Sequence, residues 1–129
     1  MCAHDCGLIV NPDGLRNQIE GNILHTLSRT LHEEVTFDRS NVTSATWASY
    51  PVIRFSEVPA VEVALIDHPD QPSFGAGEAA STPVPAALSN AIFDATGVRI
   101  RTAPVTQTRL KAALNGETGR SGSASASRT

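Results

Sequence analysis

The stretch Ser73-Phe74-Gly75-Ala76-Gly77-Glu78 joins an apolar, strand-like segment to a helical pattern that opens with Thr82-Pro83. Glycine at alternate positions lets the main chain adopt positive φ and lets another group approach it closely. The residues from Thr82 onward are typical of the first turn of a helix, where free N–H groups favour an anion. On local chemistry alone, the stretch is either an ordinary surface turn or a loop that presents a carboxylate for acid–base chemistry.

Alternating apolar residues on either side of this stretch predict strands. Residues 60–66 are apolar on both faces, which is typical of a central strand, and residues 3–10 end in a β-branched run. Residues 34–38 and 42–47 flank a short polar turn and predict a hairpin. The sequence therefore predicts a mixed or antiparallel sheet.

Two longer segments show helical spacing. Residues 15–32 follow the turn signal Asn11-Pro12-Asp13-Gly14, and residues 83–96 end at Gly97, a natural left-handed cap. The apolar stripe of the first helix consists of Ile19, Ile23, Leu24, Leu27 and Leu31. A further short helix is expected after Thr106, which is placed to cap it. The predicted fold class is α+β, with two main helices packed on the sheet.

Length and composition restrict the protein class. The 129 residues, of which 40% are hydrophobic, predict one domain over residues 1–114 and a disordered Gly/Ser-rich tail over residues 115–129. The net charge is −3 and no basic patch alternates with aromatic residues, so nucleic acid is not an expected partner. The N-terminus lacks the basic and apolar regions of a signal peptide. We therefore expect a cytoplasmic location, or export within a complex on another chain's signal.

The two cysteines do not predict a metal site or a disulfide. Cys2 and Cys6 flank His4, and no second Cys/His cluster supplies the remaining ligands of a metal. Residues four apart on a strand lie about 13 Å apart, which is too far for a disulfide. We expect ordinary thiols beside a strand, with Cys6 buried, and assign no metal ligand.

Four motifs in a fixed order carry a family resemblance. Val10-Asn11-Pro12 is followed by Gln18-Ile19-Glu20-Gly21, then by Ser49-Tyr50-Pro51-Val52-Ile53-Arg54, then by Gly75-Ala76-Gly77-Glu78 before an alanine-rich helix. Together they resemble the C-terminal end of the molybdenum-cofactor-binding subunit in the xanthine dehydrogenase/aldehyde oxidase superfamily. The motifs also resemble those of β subunits of the isoquinoline 1-oxidoreductase type. The resemblance covers about residues 3–114 and implies part of a molybdopterin-binding domain.

The resemblance also implies roles for five residues. Such subunits take part in hydroxylating N-heteroaromatics or aldehydes, with water as the oxygen source. The glutamate after the second glycine is the family's catalytic base, which points to Glu78. Gln18 matches a glutamine that contacts the pterin, and Gly75, Ala76 and Gly77 would shape the loop around the metal centre. A base of this kind needs an ionised carboxylate within hydrogen-bond reach of the proton that it removes.

The family's chemistry requires more than this chain contains. The resemblance implies a molybdenum–pterin cofactor in a dinucleotide form, bound only with the remainder of the molybdenum subunit. It also implies iron–sulfur clusters on a partner subunit, because two cysteines cannot hold one. The chain alone is expected to be inactive and to expose an apolar surface where the other domains would pack.

Two other readings of the chain stay open. The first is a non-catalytic remnant or interaction module that packs against a separate cofactor-binding chain. The second is anion binding by the glycine-rich loop and the helix start, which is disfavoured because no Lys or Arg lies near Glu78 in the sequence.

Overall fold

The computed structural model describes the backbone of residues 1–124 and the side chains of residues 1–116. In chain order the elements are β1 (Cys2–Asp5), α1 (Pro12–Leu31), β2 (Val63–Ile66), α2 (Val84–Thr96) and α3 (Gln107–Ala124). Single 3₁₀ turns lie at Phe55–Glu57 and Ala79–Ser81. The predicted α+β class is confirmed, and both main helices form where the apolar spacing placed them.

The two strands form a parallel pair, whereas the sequence predicts a mixed or antiparallel sheet. Cys2 lies opposite Val63 and Asp5 lies opposite Ile66 in the register. A parallel pair requires a long crossover between its strands, and helix α1 lies within that connection. Arg16 of α1 donates to the carbonyl of Val63 at 2.9 Å, which ties the helix to the sheet.

The hairpin predicted at residues 34–47 does not form as two strands. Only one antiparallel bridge forms there, between Phe37 and Val42. Asp38 closes the turn by accepting hydrogen bonds from the amides of Ser40 and Asn41, at 2.7 and 2.8 Å. Phe37 and Val42 are 76% and 56% exposed, so in the described structure no layer covers this ribbon. A two-stranded ribbon without a buried face is marginal, which explains why the ladder does not extend.

The core lies where α1 meets the sheet and the loop after β2. Asn11 caps α1 by accepting a hydrogen bond from the Gly14 amide at 2.9 Å. The buried centre of this core consists of Cys6, Leu15, Ile19 and Ala80. Ile19 is fully buried, and the expectation that Cys6 is buried is confirmed.

The C-terminal half of the chain packs around the far end of α1. The Val105 amide donates to the carbonyl of Thr30 at 2.6 Å, and both residues are buried. Helix α2 ends at Gly97 with a φ of 76°, which confirms the predicted left-handed cap. Arg109 of α3 donates to the Pro104 carbonyl and pairs with Glu34, at 2.9 and 2.8 Å.

Helix α3 is longer than the short helix expected after Thr106. It extends into residues 115–124 of the tail that the sequence predicts to be disordered, and residues 125–129 lie outside the described residues. Within residues 1–124, no helix combines the length and the apolarity needed to cross a bilayer.

Candidate functional site

The glycine motif begins where the loop after β2 runs beside the segment after β1. The Phe74 amide donates to the Cys6 carbonyl at 2.8 Å, and the His68 amide donates to the Gly7 carbonyl at 3.2 Å. Cys6 and Gly7 are both buried. The main chain immediately before Gly75 is therefore fastened to the protein core.

Glu78 follows the two glycines and precedes the 3₁₀ turn Ala79–Ser81. Its carbonyl accepts a hydrogen bond from the Ser81 amide at 3.0 Å, whereas its side chain is exposed. Ala80, two residues further on, is only 3% exposed and belongs to the core. The backbone of Glu78 is held close to the core while its carboxylate points to the surface of this chain.

The two glycines of the motif are not required by the fold of this chain. Neither Gly75 nor Gly77 has a positive φ. A Cβ built on either residue would meet no heavy atom of the described chain within 4 Å. Ala76 between them packs against the core. Open space therefore lies above the main chain at two positions next to an exposed carboxylate.

Gln18 is exposed on α1, one residue before the fully buried Ile19. Ile19 and Ala80 belong to the same core cluster, so α1 and the turn after Glu78 are packed together. Gln18 and Glu78 thus lie beside two elements that share one core. The roles of the predicted site residues stay predictions.

A second cluster of polar groups was not predicted from the sequence. The Glu33 carboxylate accepts hydrogen bonds from the hydroxyls of Ser28 and Tyr50, the latter at 2.8 Å. These residues line an open groove of about 550 Å³ together with His25 and Trp47. The contact of Tyr50 with Glu33 joins residues 17 positions apart, so no local pattern predicts it, although Tyr50 lies within a family motif.

Metal-binding side chains do not converge in the part of the chain that the structure describes. No group of three or more His, Cys, Asp or Glu side chains is placed to hold an ion there.

Comparisons with known proteins identify the class. Residues 1–59 match the family described as "Molybdopterin cofactor-binding domain". The chain is 49% identical over 114 residues to one of the subunits of nicotinate dehydrogenase from Pseudomonas putida, a match that covers 88% of this chain and 10% of the relative. It is 33% identical over 104 residues to the beta chain of isoquinoline 1-oxidoreductase from Brevundimonas diminuta, covering 81% of this chain and 13% of the relative.

A solved structure has the same fold. Quinoline 2-oxidoreductase from Pseudomonas putida 86 matches 88% of this chain with a TM-score of 0.76 and 28% identity, over 15% of its own chain. The fold and the matched residues define a segment of a molybdopterin cofactor-binding domain. The chain matches a segment of the molybdenum-binding subunits of the xanthine dehydrogenase/aldehyde oxidase superfamily. It spans about a tenth of the length of the nicotinate dehydrogenase and isoquinoline 1-oxidoreductase subunits that it matches.

The surface around Glu78 fits the approach of a large cofactor. Space is open above Gly75 and Gly77, and neither backbone strain nor packing within the described chain explains glycine there. Gln18 supplies an exposed amide, which has both donors and an acceptor for a polar ring system.

Proposed function

We propose that this chain is the base-bearing segment of a molybdenum hydroxylase. One observation carries the proposal: an exposed carboxylate, Glu78, follows two glycines whose Cβ positions are open, on a loop anchored at both ends. A base that acts at a bound cofactor needs open space for that cofactor beside its carboxylate. The bound molybdenum–pterin cofactor would supply the oxidation chemistry.

In this proposal Glu78 acts as the base. Its carboxylate would accept a proton from the water-derived oxygen that is transferred to the substrate carbon. In the described chain it lies in solvent, and the rest of the subunit would cover it and exclude water. Gln18 would bind the pterin through its side-chain amide, while Gly75, Ala76 and Gly77 would let the main chain lie close to the cofactor.

The substrate class is proposed from the relatives. Their names refer to nicotinate, isoquinoline and quinoline, and all three are N-heteroaromatic compounds. Another relative, from Escherichia coli, is named as a molybdenum-binding subunit of an aldehyde oxidoreductase. We propose an N-heteroaromatic substrate first and an aldehyde second.

We further propose that the chain works within a larger assembly. The remainder of a molybdenum subunit would hold most of the cofactor, in a dinucleotide form, and a partner subunit would carry the iron–sulfur clusters. The assembly would reside in the cytoplasm, or be exported on another chain's signal.

A non-catalytic interaction module is the second candidate function. It is favoured by apolar side chains on the surface of the chain, since Trp47 is 83% exposed and Phe55 is 97% exposed. Exposed aromatic residues of this size mark surfaces that pack against other proteins. In this reading the chain binds a separate cofactor-binding chain and Glu78 has no chemical role.

The substitution Glu78→Gln in the assembled complex separates the two candidates. It keeps the size of the side chain and removes the base, so turnover should fall by about 10²–10⁴-fold with molybdenum content unchanged. Glu62→Gln is the matched control, because Glu62 is also exposed and lies beside β2. Retained turnover in Glu78→Gln would refute the base assignment, and activity of a complex assembled without this chain would favour the interaction module.

A further inference from the structure

Asp5 joins the end of β1 to the loop that leads to Glu78. One of its carboxylate oxygens accepts a hydrogen bond from the Gly7 amide at 2.9 Å. The other pairs with His68 Nδ1, also at 2.9 Å. We call Asp5, Gly7 and His68 the Asp5 clasp. Gly7 follows β1 and His68 follows β2, so the contact of Asp5 with His68 joins the ends of the two strands and is a tertiary feature.

At Gly7 the segment after β1 lies against the loop after β2. Its φ is +73°, a conformation that side chains other than glycine rarely adopt. A Cβ on Gly7 would lie 2.0 Å from the carbonyl oxygen of Pro72. Both conditions demand glycine, in contrast to Gly75 and Gly77, whose conformation and surroundings do not. Pro72 comes two residues before Phe74 in the sequence, and the Phe74 amide donates to the Cys6 carbonyl, so both contacts hold the same short segment against the residues after β1.

The clasp lies next to one of the two anchors of the glycine motif. The motif is fastened before Gly75 by the Phe74–Cys6 hydrogen bond, and after Glu78 by the burial of Ala80. Between these points the described chain leaves space open at Gly75 and Gly77. The placement of Glu78 therefore depends on how firmly the first anchor is held.

We propose that Asp5, Gly7 and His68 are positioning residues for Glu78, acting through the main chain of the loop at residues 67–74. The inference rests on the proposed function, because positioning has a catalytic consequence only if Glu78 is the base. None of the three residues is proposed to contact substrate or cofactor. A small displacement of a catalytic group lowers the turnover rate even when binding persists.

Hydrogen exchange on this chain tests the anchor without any need for activity. Asp5→Ala removes both clasp contacts without adding atoms, and His68→Ala removes the second contact alone. We expect exchange at the Phe74 amide to accelerate by about two- to fivefold in Asp5→Ala, the range set by exposed ion pairs. The amide of the fully buried Ile19, within α1, reports on global stability and should be unaffected.

Asp38→Ala is the matched control. Asp38 is another exposed aspartate that caps main-chain amides, those of Ser40 and Asn41, in a different turn. It should leave exchange at Phe74 unchanged. The proposal is overturned if Asp5→Ala and His68→Ala both leave Phe74 exchange at the parent rate, or if Asp38→Ala accelerates it equally.

Kinetics of the assembled complex test the catalytic consequence. Asp5→Ala should lower kcat while KM changes little, because the base is displaced but the substrate site is intact. An unchanged kcat with accelerated exchange would overturn the positioning role. If instead Glu78→Gln retains turnover, the proposed function fails, and faster exchange at Phe74 in Asp5→Ala would still establish that the clasp holds the loop.

Discussion

The Tyr50 hydroxyl donates a hydrogen bond of 2.8 Å to the Glu33 carboxylate, although the two residues lie 17 positions apart. Ser28 completes the contact, since its hydroxyl donates to the same carboxylate and accepts a hydrogen bond from the Ile53 amide at 2.9 Å. Ser28 is 2% exposed. One buried hydroxyl on α1 and one carboxylate thus fasten the irregular segment of residues 33–53 to the helix.

The titration of Tyr50 should report on this contact. The hydrogen bond to Glu33 is the main reason that the pKa of Tyr50 lies above its ordinary value, with desolvation adding to it. A pKa that is higher in the folded chain contributes stability at pH values below the ordinary pKa of tyrosine. That stability is lost as pH rises through the pKa of the folded chain, above about pH 10. The chain has one tyrosine, so its phenolate absorbance can be followed directly. Glu33→Gln should bring the pKa of Tyr50 down, and an unchanged titration would contradict the contact.

Glu33 should affect stability at the acid end. Partial burial alone would raise the pKa of Glu33, but the hydrogen bonds from Ser28 and Tyr50 outweigh it and the pKa lies below its ordinary value. A pKa that is lower in the folded chain contributes stability at pH values above the ordinary pKa of glutamate. That stability is lost as pH falls through the pKa of the folded chain, below about pH 4. Tyr50→Phe should weaken this acid dependence when the free energy of unfolding is measured against pH. If the parent chain and Tyr50→Phe lose the same free energy of unfolding at acidic pH, the Tyr50 hydroxyl does not stabilise the Glu33 carboxylate.

Ile19→Ala should destabilise the chain more than any exposed aliphatic substitution. Ile19 is fully buried among Cys6, Leu15 and Ala80, so its removal leaves a cavity as well as losing buried surface. The expected loss is about 2–5 kcal/mol in the free energy of unfolding, measured with urea. Ile66→Ala is the control, because Ile66 is 42% exposed at the end of β2. Similar losses in the two variants would contradict the assigned core.

Two glycine substitutions should change the free energy of unfolding in opposite directions. Gly97 caps α2 with a φ of 76°, so Gly97→Ala should cost about 1–2 kcal/mol for the left-handed conformation. Gly21 lies inside α1, where an added Cβ meets no heavy atom within 4 Å, and Gly21→Ala should stabilise by about 0.5–1 kcal/mol. Thermal unfolding of both variants measures the difference. A destabilised Gly21→Ala would point to a role for this glycine outside the described contacts.

The exposed apolar surface should associate with the rest of the molybdenum subunit. Trp47 is the only tryptophan and is 83% exposed, so its fluorescence should shift to shorter wavelength when that surface is covered. The chain alone should self-associate in solution sizing. A compact monomer, with Trp47 emission unchanged by the assembled subunit, would contradict this expectation.

Much of the fold followed from local patterns. The apolar spacing of residues 15–32 and 83–96 predicted both main helices, and the glycine at position 97 predicted where α2 ends. These features depend on neighbours within one or two turns, which the sequence shows directly. The hairpin at residues 34–47 was mispredicted because local alternation cannot show whether another layer will bury its apolar face.

The sequence by itself determined the helices, the family resemblance and the candidate residues Gln18 and Glu78. Tertiary structure alone decided the parallel pairing of β1 with β2, and the approach of Pro72 to Gly7. It also decided the contacts of Asp5 with His68 and of Tyr50 with Glu33. The physical reason is separation along the chain. Helix propensity and capping act over a few residues, whereas these contacts join distant residues that come together only when the shared core has formed.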